Sequence, residues 1–218
     1  MEDLHLIKDL LLIKDTENIE YLGNKLLYDL CEEFPAHNNE QEIFAKIWLI
    51  GRSYAVALER GKGKKDEIND DFYKTIVSQI KNSGLDNSLD SLKGKSLISE
   101  NIDDILDVYK SFHEITSEFG RGKKHSFCSK YLHFHFPNLF FIYDSRAAAS
   151  ISKLKIDISR FKDKKNKYKD LPYFNFFCQC FILQEWANES SHSSLTPRQI
   201  DIFLVEQSNK VNREMRKK

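Results

Sequence analysis

The chain has 218 residues, 41% of them hydrophobic and 30% charged, with 33 Lys and Arg balanced by 33 Asp and Glu. The composition is that of a globular protein, and zero net charge removes any argument from bulk charge for a nucleic-acid or membrane partner. MEDLHLIKDLLLIKD at the N-terminus interrupts its apolar stretch with acids and lysines, unlike a signal peptide, and no run approaches the roughly 18 apolar residues that cross a bilayer, so a cytoplasmic location without a membrane partner is expected.

In chain order, Leu4, Ile7 and Leu11, then Tyr21, Leu22, Leu26 and Leu30, predict two helices broken near 15–18. Ile43, Ile47, Leu49, Ile50, Tyr54, Val56 and Leu58 do not alternate, which predicts a buried helix over 40–60 ending at Gly61, followed by the polar loop GKGKKDEINDD. Phe72, Ile76 and Ile80 mark an amphipathic helix over 71–81, and the Ser, Gly and Asn of 82–96 read as a connection. Ile102, Ile105, Leu106, Tyr109, Phe112, His113 and Ile115 mark another helix over 102–119, stopped by Gly120.

A helix over about 123–134 comes next, then the proline-turned FPNLFF and a short apolar run to Asp144. Ser145 opens an alanine-rich helix, 160–170 is a charged surface segment, and 173–187 is a strongly apolar helix. Thr196 reads as an N-cap with Pro197 at the first position of a last helix through Leu204. Almost nothing alternates with period two, so the fold is expected to be mainly α: one domain, 1–218, of two helical lobes.

Cys31, Cys128, Cys178 and Cys180 are too few for a disulfide scaffold and read as reduced thiols, the last two as core packing. Basic residues cluster at 62–65, 121–124, 160–169 and 213–218, and a neutral chain can still carry a basic cleft for phosphates.

The chemistry concentrates between 119 and 150. Gly120 and Gly122, flanking Arg121, allow a tight turn whose exposed N–H groups can hold a phosphate. In the helix that follows, Phe127, Tyr131 and Phe134 form a stripe that also takes in Lys123 and Lys130. A lysine on an apolar face loses hydration, which favours the nucleophilic neutral amine unless the side chain snorkels to water. Asp144 and Ser145 both stand where an N-cap is needed, and a capping carboxylate is held ionised in a fixed place.

The order helix, Gly-x-Gly hairpin, lysine-bearing helix, proline connection and aspartate at a helix start resembles the helix-hairpin-helix DNA glycosylases. In that family the catalytic lysine follows the hairpin glycines and the catalytic aspartate comes roughly twenty residues later, as Asp144 follows Lys124 by twenty. Pro137 stands a few residues before Asp144, as in the oxoguanine-glycosylase members. Lys123, Phe127 and Lys130 are similar to the lysine, phenylalanine and lysine of the archaeal branch, and QIDIFL at 199–204 resembles its closing helix. Nearer still is a bacterial group with the pattern S-F-A-x-K-Y, H-x-P and I-Y-D-S, matched by Ser126, Phe127, Lys130, Tyr131, His135, Pro137, Ile142, Tyr143, Asp144 and Ser145. The close likeness covers about 30 residues and a looser one about 110, with the hairpin and catalytic segment at about 102–150. Phe119 and Arg121 stand where the family has proline and a small apolar residue, and no C-terminal cysteine cluster is present.

The resemblance implies a two-lobed, cofactor-free monomer that excises a damaged or modified base from double-stranded DNA after flipping it from the stack. The lysine amine attacks the sugar carbon, Asp144 stabilises the developing positive charge, and a Schiff base permits strand cleavage. The bacterial pattern favours Lys130 as nucleophile, the hairpin spacing Lys124, and Lys123 is a third candidate. DNA contacts are expected from Gly120, Arg121, Gly122, Ser126, His135 and Arg146. The alternative is a noncatalytic helical module that binds nucleic acid; the duty of either is repair or defence against foreign DNA. A helical ribonuclease is a third class, but Arg121 and His125 lack the spacing it needs.

Two further groupings have plainer readings. Cys128, His133 and His135 lack ligand spacing and a fourth partner, so no metal is expected. Arg52, one turn after Trp48, is a candidate for a phosphate or base contact, although a buried tryptophan with a snorkelling arginine is the simpler expectation.

Overall fold

The structure, a computed structural model, describes residues 19–54, 56, 58, 69–117, 124–192 and 194–215. Regular structure among the described residues is helical throughout: α1 (Ile19–Glu33), α2 (Glu40–Ser53), α3 (Asn69–Asn82), α4 (Leu85–Asp90), α5 (Ile102–Ser117), α6 (His125–His135), α7 (Ser145–Lys153), α8 (Pro172–Ser191) and α9 (Pro197–Met215), with short 3₁₀ turns at Ser99–Asn101 and Ser159–Phe161. The mainly α expectation therefore holds. Among the described residues no helix is long and apolar enough to cross a membrane. The first helix expected, before residue 15, lies outside the described residues.

Contacts divide the chain into two units, one over 17–136 and one that contains 137–218. In the first, α6 packs against α1, α2 and α5, while α3 and α4 close the far side against α2 and α5. Because neighbours surround it, α6 is buried on nearly every face, including Phe127, Cys128, Ser129, Lys130, Tyr131, Leu132, His133 and Phe134. Each large apolar side chain so enclosed contributes roughly 1.5–3 kcal/mol. No β-branched residue interrupts HSFCSKYLHFH, and the helix stops at His135 because Pro137 disfavours helical geometry at Phe136.

Several boundaries differ from the sequence reading. Helix α2 ends at Ser53 instead of near 60: Tyr54 leaves helical geometry and its hydroxyl donates to Asn24 Oδ1 at 2.6 Å, which anchors the turn. The connection over 82–96 contains α4, whose two buried leucines, Leu85 and Leu89, are too few to register as a periodic pattern. Helix α6 begins at His125 with Lys124 as its cap residue, not at 123.

In the second unit, α7, α8 and α9 pack against one another. The run Leu139, Phe140, Phe141 and Ile142 is buried, and Tyr173 donates its hydroxyl to the Phe141 carbonyl at 2.8 Å. The segment over 160–170 is not wholly superficial, since Phe161 and Tyr168 anchor it in the core. Thr196 and Gln199 form a reciprocal capping box, Thr196 N–H to Gln199 Oε1 at 2.8 Å and Gln199 N–H to Thr196 Oγ1 at 3.3 Å. From there α9 runs to Met215, well past Leu204, because helix-forming polar residues extend it after the apolar stripe ends.

Candidate functional site

Lys124 lies in the first unit at the cap of α6. Its amine is drawn inward and donates to the Leu58 carbonyl at 3.1 Å, and the residue is 7% exposed. Burial lowers its pKa from the usual lysine value, opposed by the nearby Cys128 thiol. Lys130, one and a half turns further on, is 2% exposed and does not snorkel. Its amine donates to Ser126 Oγ at 2.6 Å and lies 5.2 Å from the centre of the Tyr54 ring. Ser126 and Lys130 are four apart, so the helix itself sets one above the other. Lys123, Gly120, Arg121 and Gly122 lie outside the described residues.

The remaining polar groups of α6 meet partners from surrounding elements. Cys128 Sγ is 2.8 Å from Thr116 Oγ1, and His133 Nε2 is 2.7 Å from the Tyr28 hydroxyl. His135 is packed against the rings of His37 and Tyr131 at 4.9 and 5.2 Å, with its Nε2 sealed from solvent and without a hydrogen-bond partner. Burial, with Lys46 and His37 nearby, holds the His135 pKa well below the usual imidazole value. Cys128, His133 and His135 thus point to different neighbours, and no group of three potential metal ligands occurs among the described residues.

A network that the sequence reading did not single out crosses this core. His37, in the loop between α1 and α2, is 2% exposed; its Nδ1 is 2.5 Å from Asp86 Oδ1 and its Nε2 2.8 Å from the Tyr131 hydroxyl. Asp86 accepts only, so Nδ1 carries the proton and Nε2 accepts from Tyr131. Burial lowers the His37 pKa despite Asp86, consistent with the neutral ring this pattern requires. Lys46 is fully buried, its amine donating to the Ala36 carbonyl at 3.3 Å, and burial lowers its pKa. Lys46 shares the stripe Ile43, Ile47 and Ile50, the same signal that singled out Lys130; His37 leaves no periodic trace.

In the second unit, Asp144 is the N-cap of α7. Its Oδ1 accepts the Arg146 N–H at 2.8 Å and the Arg146 Nε at 3.3 Å. The carboxylate is 26% exposed and the Arg146 side chain 53%. The cap is therefore Asp144, one of the two residues the sequence left open.

Arg52 stands in the last turn of α2, exposed, with its guanidinium 4.6 Å over the Trp48 ring. Trp48 is not buried as the simpler expectation had it: it is 36% exposed, its ring neighbours Phe44 and Tyr73 covering only part of it. No family model, curated protein or solved structure matches the chain.

Proposed function

We propose that the protein is a DNA glycosylase of the helix-hairpin-helix type, with Lys124 as the first candidate nucleophile and Asp144 as the charge-stabilising carboxylate. The observation that carries the reading is Lys124, whose amine is withdrawn from water and has its pKa lowered by burial, two positions after the Gly120-Arg121-Gly122 segment. A less basic amine is neutral in a larger fraction near neutral pH and so is nucleophilic. Asp144 supports the reading too, since backbone and guanidinium donors fix its carboxylate while leaving it partly open.

In the proposed reaction a flipped nucleotide presents its sugar carbon to the amine. The C–N bond to the base breaks as the new C–N bond to lysine forms, the proton shed by the attacking amine neutralises the departing base, and opening of the sugar ring then gives the Schiff base that borohydride reduces. Asp144 stabilises the positive charge that develops on the sugar.

Borohydride trapping on oligonucleotides bearing a damaged base tests this. Lys124→Gln and Asp144→Asn are expected to lose the trapped adduct and base release while keeping the parent's circular dichroism. Loss on Lys130→Gln or Lys123→Gln with Lys124→Gln active would move the nucleophile; no adduct from the parent on any base-lesion panel would sink the reading. A noncatalytic nucleic-acid-binding module is the second reading, favoured by one observation: the amines of Lys124 and Lys130 both donate to acceptors inside the fold, as structural lysines do. It expects salt-sensitive DNA binding with no adduct.

A further inference from the structure

Helices α2 and α3 carry an aromatic cluster at the surface of the first unit. Phe44 and Trp48, one turn apart on α2, are 39% and 36% exposed, and their rings stack at 5.6 Å with an interplanar angle of 28°. Tyr73 of α3 stands edge-on to both, at 5.7 and 5.6 Å, and braces them. Arg52 completes the row with its guanidinium 4.6 Å over Trp48.

The charges around this row are unevenly matched. Glu40 is paired with Lys81 at 2.9 Å and Asp71 with Lys74 at 3.6 Å, so the flanking acids are offset by lysines. Arg52 has no carboxylate partner among the described residues; the face of Trp48 is its contact. An exposed π-surface ending in an uncompensated cation matches an unstacked base followed by its phosphate. Bases stack on aromatic faces irrespective of sequence, and guanidinium pairs with phosphate in two-point geometry. A purely apolar protein partner would instead be disfavoured by desolvating that cation.

We propose that Trp48, Phe44 and Arg52 form a stacking site for a nucleotide of single-stranded DNA, distinct from the residues assigned to base excision. The base lies on Trp48 in the place the guanidinium now occupies, and Arg52 swings out to the phosphate. Tyr73, edge-on to both, braces the two stacked α2 rings. The inference rests on the nucleic-acid partner common to both readings above, and not on the lysine chemistry.

Fluorescence anisotropy of a labelled oligothymidylate, measured across a salt series, tests it. The parent is expected to bind. Trp48→Leu is expected to weaken binding roughly tenfold, the order of one lost base–aromatic stack, with Trp48→Phe retaining most of it. Arg52→Gln is expected to reduce the slope of log affinity against log salt by about 0.7, the single-strand value for one phosphate contact. Since both side chains are exposed, circular dichroism and thermal midpoint should stay at parent values.

Absence of single-strand binding by the parent, or parental affinity in both Trp48→Leu and Arg52→Gln, overturns the site. So does self-association in sedimentation that Trp48→Leu abolishes in a protein that binds no oligonucleotide, which would mark a protein interface. Trapping on damaged duplex is scored separately. An adduct without single-strand binding removes only the stacking site, and single-strand binding without an adduct removes only the glycosylase reading.

Discussion

His37 and Asp86 are joined twice: Asp86 Oδ2 accepts the His37 backbone N–H at 2.9 Å, and Oδ1 lies 2.5 Å from Nδ1 of the same residue. The two hydrogen bonds tie the loop after α1 to the start of α4 and aim Nε2 at Tyr131 in the middle of the core. Burial holds the His37 pKa below its usual 6.5, so between the folded value and 6.5 the unfolded chain takes up the proton more readily. The stability this contributes is complete above 6.5 and is lost as pH falls through the folded value. For Asp86, burial pushes the pKa up, but the hydrogen bonds from His37 outweigh it and leave it below the usual 3.8, adding a second loss in stronger acid.

Thermal midpoints between about pH 7 and about pH 5 should therefore fall in the parent and fall less in His37→Gln, with the shared contribution of His135 keeping some slope. A His37→Gln profile parallel to the parent's would show that another group controls acid lability.

The Ser126 and Lys130 pair calls for a double-mutant cycle. Ser126→Ala removes one hydrogen-bond acceptor from a buried amine and should cost about 0.5–1.5 kcal/mol in urea unfolding. Adding Lys130→Met replaces that amine by an apolar chain of similar length, so the double variant should be more stable than the sum of the two single changes implies. Simple additivity would mean that the serine does not support the lysine.

Asp144 separates fold from chemistry. Asparagine caps helices nearly as well as aspartate, so Asp144→Asn should unfold close to the parent, whereas Asp144→Ala should lose about 1 kcal/mol. Equal stability of all three forms would show that the cap contributes nothing measurable.

The cysteines should be inert in the folded protein. Burial pushes the thiols of Cys31, Cys128 and Cys178 up to about 12, and that of Cys180 well above its usual value. At mildly alkaline pH iodoacetamide should leave all four unmodified by mass spectrometry, and label all four in urea. Rapid alkylation of any one without denaturant would contradict its enclosure.

Much of the helical plan was legible in the sequence because amphipathic helices repeat their apolar residues at short range. Asp144, Thr196 and Pro197 announced helix starts through chemistry confined to four residues, and the structure adds Gln199 as the partner of the Thr196 cap. Boundaries were less legible where a distant residue decides them, as Asn24 does for the turn at Tyr54. The apolar stripe of α6 took in Lys130 but left open whether its amine snorkels to water, and it named no acceptor; only the packed structure shows the residue enclosed.

By itself, then, the sequence determined a mainly α fold, the helix starts at Asp144 and Thr196, and a lysine-bearing segment between the Gly120-Arg121-Gly122 sequence and a helix-capping aspartate. Tertiary structure alone decided that α6 is enclosed by three helices, that His37 and Asp86, 49 positions apart, meet, and that Trp48 stays open to solvent beneath Arg52. The physical reason is one of range: helical periodicity and capping act within a few residues, whereas burial and the pKa shifts it brings depend on which helices pack side by side.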